Sequence, residues 1–212
     1  MKGLIVKDFY ILKGTISTTI TILIILTVYC LFRGYGIGLV IIPTLIFAAT
    51  TTSSLKLDWA VNWDMKALTM PISREIIIRS KYLELICLCD IGTVIGWSLA
   101  SIQNVFTNVF SWYIIINFGL LSLALGIIGG SFHILLVYKF GGKNLENSEI
   151  LLFMAYGISV GIIGIIVWGL KFIFVINFKN FSIIPIIVLL ISIFASICTY
   201  KSTVMLYRKK EL

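Results

Sequence analysis

The sequence predicts an all-α, polytopic membrane protein with six transmembrane helices. Three observations carry that reading. The chain is 59% hydrophobic and 12% charged, with mean hydropathy +1.08. An ordinary soluble domain carries roughly 25% charged residues. Several apolar runs reach the length of about 20 residues that a helix needs to cross the hydrocarbon. The runs are rich in Ile, Val and Thr, which suit strands in water, but a run of this length in lipid must satisfy its own backbone, and a helix does so. No run alternates as the strands of a membrane barrel do. Helices and short loops are expected to use up the 212 residues as a single membrane domain, leaving no room for a soluble ATPase or kinase module.

The first span is expected at about 15–32. A basic start before an apolar run resembles a signal peptide, but this run is too long for such a segment and ends in no small-x-small site, so the span is expected to be retained. The second span is 36–54, and after it comes a polar block at 55–81. The third is 82–102, with Glu84 at its mouth and Asp90 inside it. The fourth is 112–138 and contains His133, the only histidine. The fifth is 150–170 and the sixth 183–200. Small-residue stripes mark the third span at Gly92, Gly96 and Ala100, the fourth at Gly126 and Gly130, and the fifth at Gly157 and Gly161. Such stripes let helices approach closely, either within the chain or at a seam between copies.

Charge sets the sidedness. The N-terminal segment, the loops between spans two and three and between spans four and five, and the C-terminal tail hold all but Arg33, Lys171 and Lys179 of the 17 basic residues. Basic loops stay in the cytoplasm, so both termini are expected there. The net charge of +8 then needs no nucleic acid, because topology and attraction to anionic headgroups account for it. Cys30, Cys87, Cys89 and Cys198 all fall in spans without metal-ligand spacing. At the outer end of the fifth span, Trp168, Phe172, Phe174, Phe178 and Phe181 beside Lys171 and Lys179 read as an aromatic belt with snorkelling lysines.

The block at 55–81 is the candidate functional segment. Residues 58–68 can form a short helix with Asp58 as its N-cap. Trp59, Trp63 and Ala67 then share a face, with Asp64 and Lys66 off it. Pro71 ends it, since the residue before a proline avoids the helical region. Ser73 can cap a new helix that carries Arg74 into the third span. This is either an interfacial helix pinned by two tryptophans at the headgroups or a docking element for a cytoplasmic partner. Two polar residues inside spans, Asp90 and His133, are candidates to line a cavity. Their plainer readings are a snorkelling carboxylate and a contact between helices.

The pattern K-D-x-x-x-x-K at Lys7, Asp8 and Lys13, and the run from Trp63 through Pro71, Ile72, Ser73 and Arg74 to Lys81 and Tyr82, resemble the six-span permeases of the type-2 ABC-exporter family. Met70 stands where leucine is usual. The likeness is greatest to a Firmicutes branch that exports peptides such as phenol-soluble modulins or confers resistance to antimicrobial peptides. The resemblance implies a non-catalytic permease that binds no cofactor itself, with ATP and magnesium on a separate cytoplasmic ATP-binding subunit. It implies a second permease copy, as a homodimer or heterodimer. Residues 58–68 would be the coupling helix, involving Asp58, Trp59, Trp63, Asp64, Lys66, Pro71 and Arg74. The segment with Lys7, Asp8, Phe9 and Lys13 would be an interface helix along the membrane, and 171–182 an external element. The cargo would be amphipathic or hydrophobic. Two other classes compete. An ion- or proton-coupled carrier would show internal repeats and midspan charges, of which only Asp90 qualifies. An intramembrane enzyme would need a nucleophile–base pair or a metal set, which the Ser, His and Glu residues do not form.

Overall fold

A computed structural model describes residues 2–61, 63–69, 73–107, 111–140, 148–174 and 183–209, without the side chains of Lys2, Ile5, Asp64, Met65, Leu68 and 170–174. The described residues form helices only: α1 (Lys2–Arg33), α2 (Gly36–Ala60), α3 (Trp63–Leu68), α4 (Arg74–Thr107), α5 (Trp112–Phe140), α6 (Ser148–Phe174) and α7 (Ile183–Lys209). All but α3 are long and apolar enough to cross a membrane. The protein is an all-α polytopic bundle.

One expectation is corrected at the N-terminus. No separate interface helix precedes the first span, because α1 is one uninterrupted helix of 32 residues. At about 1.5 Å per residue it is long enough to cross the hydrocarbon and still carry Lys7 and Asp8 on its first turns. The reason is local: no proline lies between Lys2 and Thr15, Gly3 sits in the first turn, and Gly14 is a weak interruption.

The turn from α1 to α2 is tight. Gly34 takes φ +72°, a left-handed conformation that costs a glycine little. Its amide donates to the Leu31 carbonyl at 3.3 Å and the Tyr35 amide to the Cys30 carbonyl at 2.9 Å. This is the paired closure that ends many helices. At the other end of the polar block the sequence reading holds: Ser73 Oγ accepts from the Ile76 amide at 3.4 Å and starts α4.

The core sits around α5, which packs against α2, α4, α6 and α7. In its most apolar stretch 61% of residues are buried, against 11% in α1, which rests mainly on α2 and α4 at the edge of the bundle. Two of the glycine stripes serve this packing. A Cβ added at Gly96 would lie 2.6 Å from the Val40 carbonyl oxygen, and one at Gly92 would lie 2.7 Å from Thr44 Cα. Only glycine lets α2 and α4 cross backbone to backbone there. Gly126 faces Cys89 Sγ, and Gly130 faces Leu85, both on α4. Gly157 and Gly161 face open space, so the stripe on α6 does no such work within the chain. Where α2, α4 and α5 meet, Thr44 Oγ1 lies 3.3 Å from Thr93 Oγ1 and 3.2 Å from Ser122 Oγ, all buried.

Candidate functional site

The charged end of the bundle holds the most unusual chemistry in the molecule. α1 brings Lys7 and Asp8, the last turn of α2 brings Asp58 with Ser54 one turn earlier, and α4 brings Lys81 and Glu84 at i,i+3 spacing. Asp8 and Glu84 are wholly buried, and Asp58 and Lys81 are each 3% exposed. The Lys81 ammonium sits at the centre. It lies 2.7 Å from Asp8 Oδ1, 2.6 Å from Asp58 Oδ2 and 3.6 Å from Glu84 Oε2, and donates to Ser54 Oγ at 2.7 Å. Ser54 Oγ in turn donates to Glu84 Oε2 at 2.9 Å. Lys7 closes the far side, 2.6 Å from Asp58 Oδ1 and 3.1 Å from Asp8 Oδ1.

Three carboxylates thus face two ammonium groups, a formal surplus of one negative charge. Asp8 Oδ2 and Glu84 Oε1 are buried and accept no hydrogen bond among the described residues. Burying such a set adds little net stability, because desolvation cancels most of the attraction. What it does is specify: α1, α2 and α4 meet at this end in one register, since any slip strands a charge in a low dielectric.

The cluster reaches the short helix through an aromatic ring. The Lys7 ammonium lies 4.2 Å from the centre of the Trp63 ring, on the first residue of α3. A cation over a tryptophan face is attracted by about 0.5–2 kcal/mol, depending on desolvation. Ala67, one turn on, is fully buried and seats α3 against the bundle. The flanks of α3 are held as well. Trp59 meets Tyr138 of α5 edge-on at 6.5 Å, and Tyr138 meets Tyr207 of α7 at 5.4 Å. Arg74 donates to the carbonyls of Tyr207 at 3.2 Å and Arg208 at 3.1 Å. A guanidinium on the last carbonyls of α7 satisfies exposed acceptors and complements the helix dipole.

These positions correct several expectations. Residues 58–68 are not one helix: α2 runs on to Ala60 and α3 starts at Trp63. Asp58 therefore caps nothing, because both carboxylate oxygens are taken by lysines rather than by the free amides of a helix start. Trp59 and Trp63 do not share one helix face, as each belongs to a different helix and packs on different partners. Lys7 and Asp8 belong to the ion cluster rather than to an exposed helix face, while Phe9 and Lys13 are exposed on α1. Arg74, expected in the docking segment, holds the end of α7 instead. Lys66 is exposed on α3. Asp64 lies on α3 with its side chain outside the described residues, and Pro71 and 175–182 lie outside them altogether. Asp90 faces out of the bundle on α4 rather than into a cavity, and His133 is fully buried on α5. Among the described residues no group of His, Cys, Asp and Glu could hold a metal ion.

Sequence reasoning missed Lys81 and Glu84 as site residues. The signal was present: Lys81-x-x-Glu84 opens an apolar span on one helix face, and charges so placed require partners when they are buried.

A protein-family model described as "ABC-2 family transporter protein" matches residues 3–207. Neither the curated proteins nor the solved structures gave a match.

Proposed function

The chain belongs to the ABC-2 transporter family, and on that premise we propose that it forms half of the membrane passage of an ATP-driven exporter. It is an ABC transporter permease and a multi-pass membrane protein. In this reading a separate ATP-binding subunit, which carries the ATP and magnesium, docks at α3 and its flanks on the cytoplasmic side. One observation carries the reading. α3 is tied by Trp63 and Lys7 to a charge cluster that joins α1, α2 and α4, and Arg74 at the start of α4 holds the end of α7. A partner that pushes on α3 therefore moves several spans at once. Nucleotide binding to that partner would bias the bundle between two arrangements.

The basic residues of the termini and of the polar block support a cytoplasmic placement of both ends. Two copies related by a twofold axis are the simplest way for one six-span chain to complete a passage. The cargo is an amphipathic or hydrophobic peptide, a reading supported by the resemblance of the two cytoplasmic segments and by spans with few charges. The test is co-expression with a candidate ABC ATP-binding subunit from the same organism. Co-purification of two permeases with two ATP-binding subunits is expected, with ATP hydrolysis in liposomes that rises when an amphipathic peptide is supplied. Purification of the permease free of any ATP-binding subunit would overturn the docking role, and hydrolysis indifferent to every peptide would overturn the cargo.

A further inference from the structure

At the charged end of the bundle α4 and α7 part and leave a cavity of about 410 Å³ between them. That is the volume of a small-molecule site. Its floor is apolar, formed by Leu83 and Ile86 of α4 and Ile197 of α7, and its rim carries Glu75, Arg79 and Tyr200. Ile86 and Ile197 are exposed on the outside of the bundle, so the cavity opens sideways and not into the core. Within a membrane that side is hydrocarbon.

The rim is electrostatically unbalanced. Glu75 is already committed: Arg208 donates to its Oε2 at 2.9 Å and the Tyr200 hydroxyl to its Oε1 at 3.4 Å. Arg79, one turn further along α4, is exposed and makes no ion pair among the described residues. Among the described residues two guanidinium groups, Arg79 and Arg208, stand against the Glu75 carboxylate, so this rim carries a net positive charge. The order along the helices is cation first, then aliphatic side chains about one and two turns deeper. A phospholipid has the same order, with its phosphate at the surface and its chains below.

We propose that the α4–α7 cavity is a binding site for an anionic phospholipid of the leaflet on the charged side. Arg79 would take the phosphate, the Tyr200 hydroxyl would flank the headgroup, and one acyl chain would lie over Leu83, Ile86 and Ile197. A guanidinium matches phosphate by two parallel hydrogen bonds, which a point charge cannot do. The hydrocarbon floor adds area that a soluble anion could not use. The site does not depend on which cargo the permease moves, nor on the ATP-binding partner.

The test uses the full chain in nanodiscs of phosphatidylcholine with and without phosphatidylglycerol, with retained lipid counted by native mass spectrometry. The wild type is expected to hold phosphatidylglycerol in preference to phosphatidylcholine. Arg79→Gln should lower that preference about five-fold, the size of one basic residue's attraction to an anionic surface, with the folded protein unchanged because the residue is exposed and makes no ion pair among the described residues. Ile86→Trp, which fills the floor, should reduce retention of both lipids. Lys66→Gln, an equally exposed cation on α3, should change nothing. Soluble glycerol phosphate should fail to displace the bound lipid. Equal retention by wild type and Arg79→Gln would overturn the proposal. So would an effect of Lys66→Gln equal to that of Arg79→Gln, which would mean general surface charge, or displacement by glycerol phosphate, which would mean a simple anion site.

Discussion

α2 and α4 meet twice, and they do so by opposite means. Near the middle of the bundle they touch through glycine, with the Gly96 Cα packed on the Val40 carbonyl and a set of shared hydroxyls at Thr44, Thr93 and Ser122. At the charged end the same two helices are joined by Asp58, Lys81 and Glu84, with α1 drawn in through Lys7 and Asp8. The first contact is neutral and close, and it exists only where glycine lets the two backbones meet. The second is charged and allows only one register. The two contacts divide the labour: the glycine crossing sets how closely the two helices approach, and the charged one sets which residues must face each other.

Breaking the charged joint should have the largest effect. Lys81→Met leaves Asp8, Asp58 and Glu84 facing Lys7 alone, and removing one partner of a buried ion set typically costs about 3–5 kcal/mol. A large fall in thermal stability in detergent, with loss of transport, is expected. Glu84→Gln is the contrast, because it removes the surplus negative charge while keeping an acceptor for Ser54, and it should fold and melt close to wild type. If both variants melt alike, charge balance is not what organises this end.

The neutral joint is next. Gly96→Val must push α2 off α4, and overpacking of this kind costs about 1–3 kcal/mol. A lower melting temperature with an intact charged end is expected; an unchanged melting temperature would mean that the crossing is looser than the 2.6 Å approach implies.

The link from the cluster to α3 separates two roles for Trp63. If Trp63 transmits through Lys7, then Trp63→Ala and Lys7→Met should lower the amount of ATP-binding subunit that co-purifies to a similar extent, several-fold for the loss of about 1 kcal/mol. If Trp63 anchors the partner directly, Trp63→Ala alone should do so and by much more, since buried aromatic anchors often cost about 2–4 kcal/mol when truncated. The ring lies under Lys7, and the first outcome is expected.

The smallest effect is expected at the hydroxyl set. Ser122→Ala removes one contact to Thr44 and should cost about 0.6 kcal/mol, the average for such bonds between membrane helices. A loss as large as that of Gly96→Val would show that the hydroxyls, rather than the close backbone contact, hold the middle of the bundle.

Some of this was legible in the chain and some was not. The six spans could be read because each is a local property. A stretch of apolar residues either satisfies its own backbone and leaves water or it does not, and the partners hardly matter. The Ser73 start of α4 and the Gly34 turn are equally local, since the groups that make them lie within four residues of one another. The cluster was not legible. Lys7 and Asp58 are 51 residues apart and Lys81 and Asp8 are 73 apart, and nothing in either neighbourhood names the other. From sequence, Asp58 looked like a helix cap and Lys7 like a surface residue, because both are common fates for such residues in isolation. Which of them is buried was decided by the crossing of α1, α2 and α4, where glycine sets how closely the helices approach and the lysines must then find carboxylates. Span existence follows from transfer out of water, residue by residue. Partner choice follows from geometry among helices, which no single stretch of chain contains.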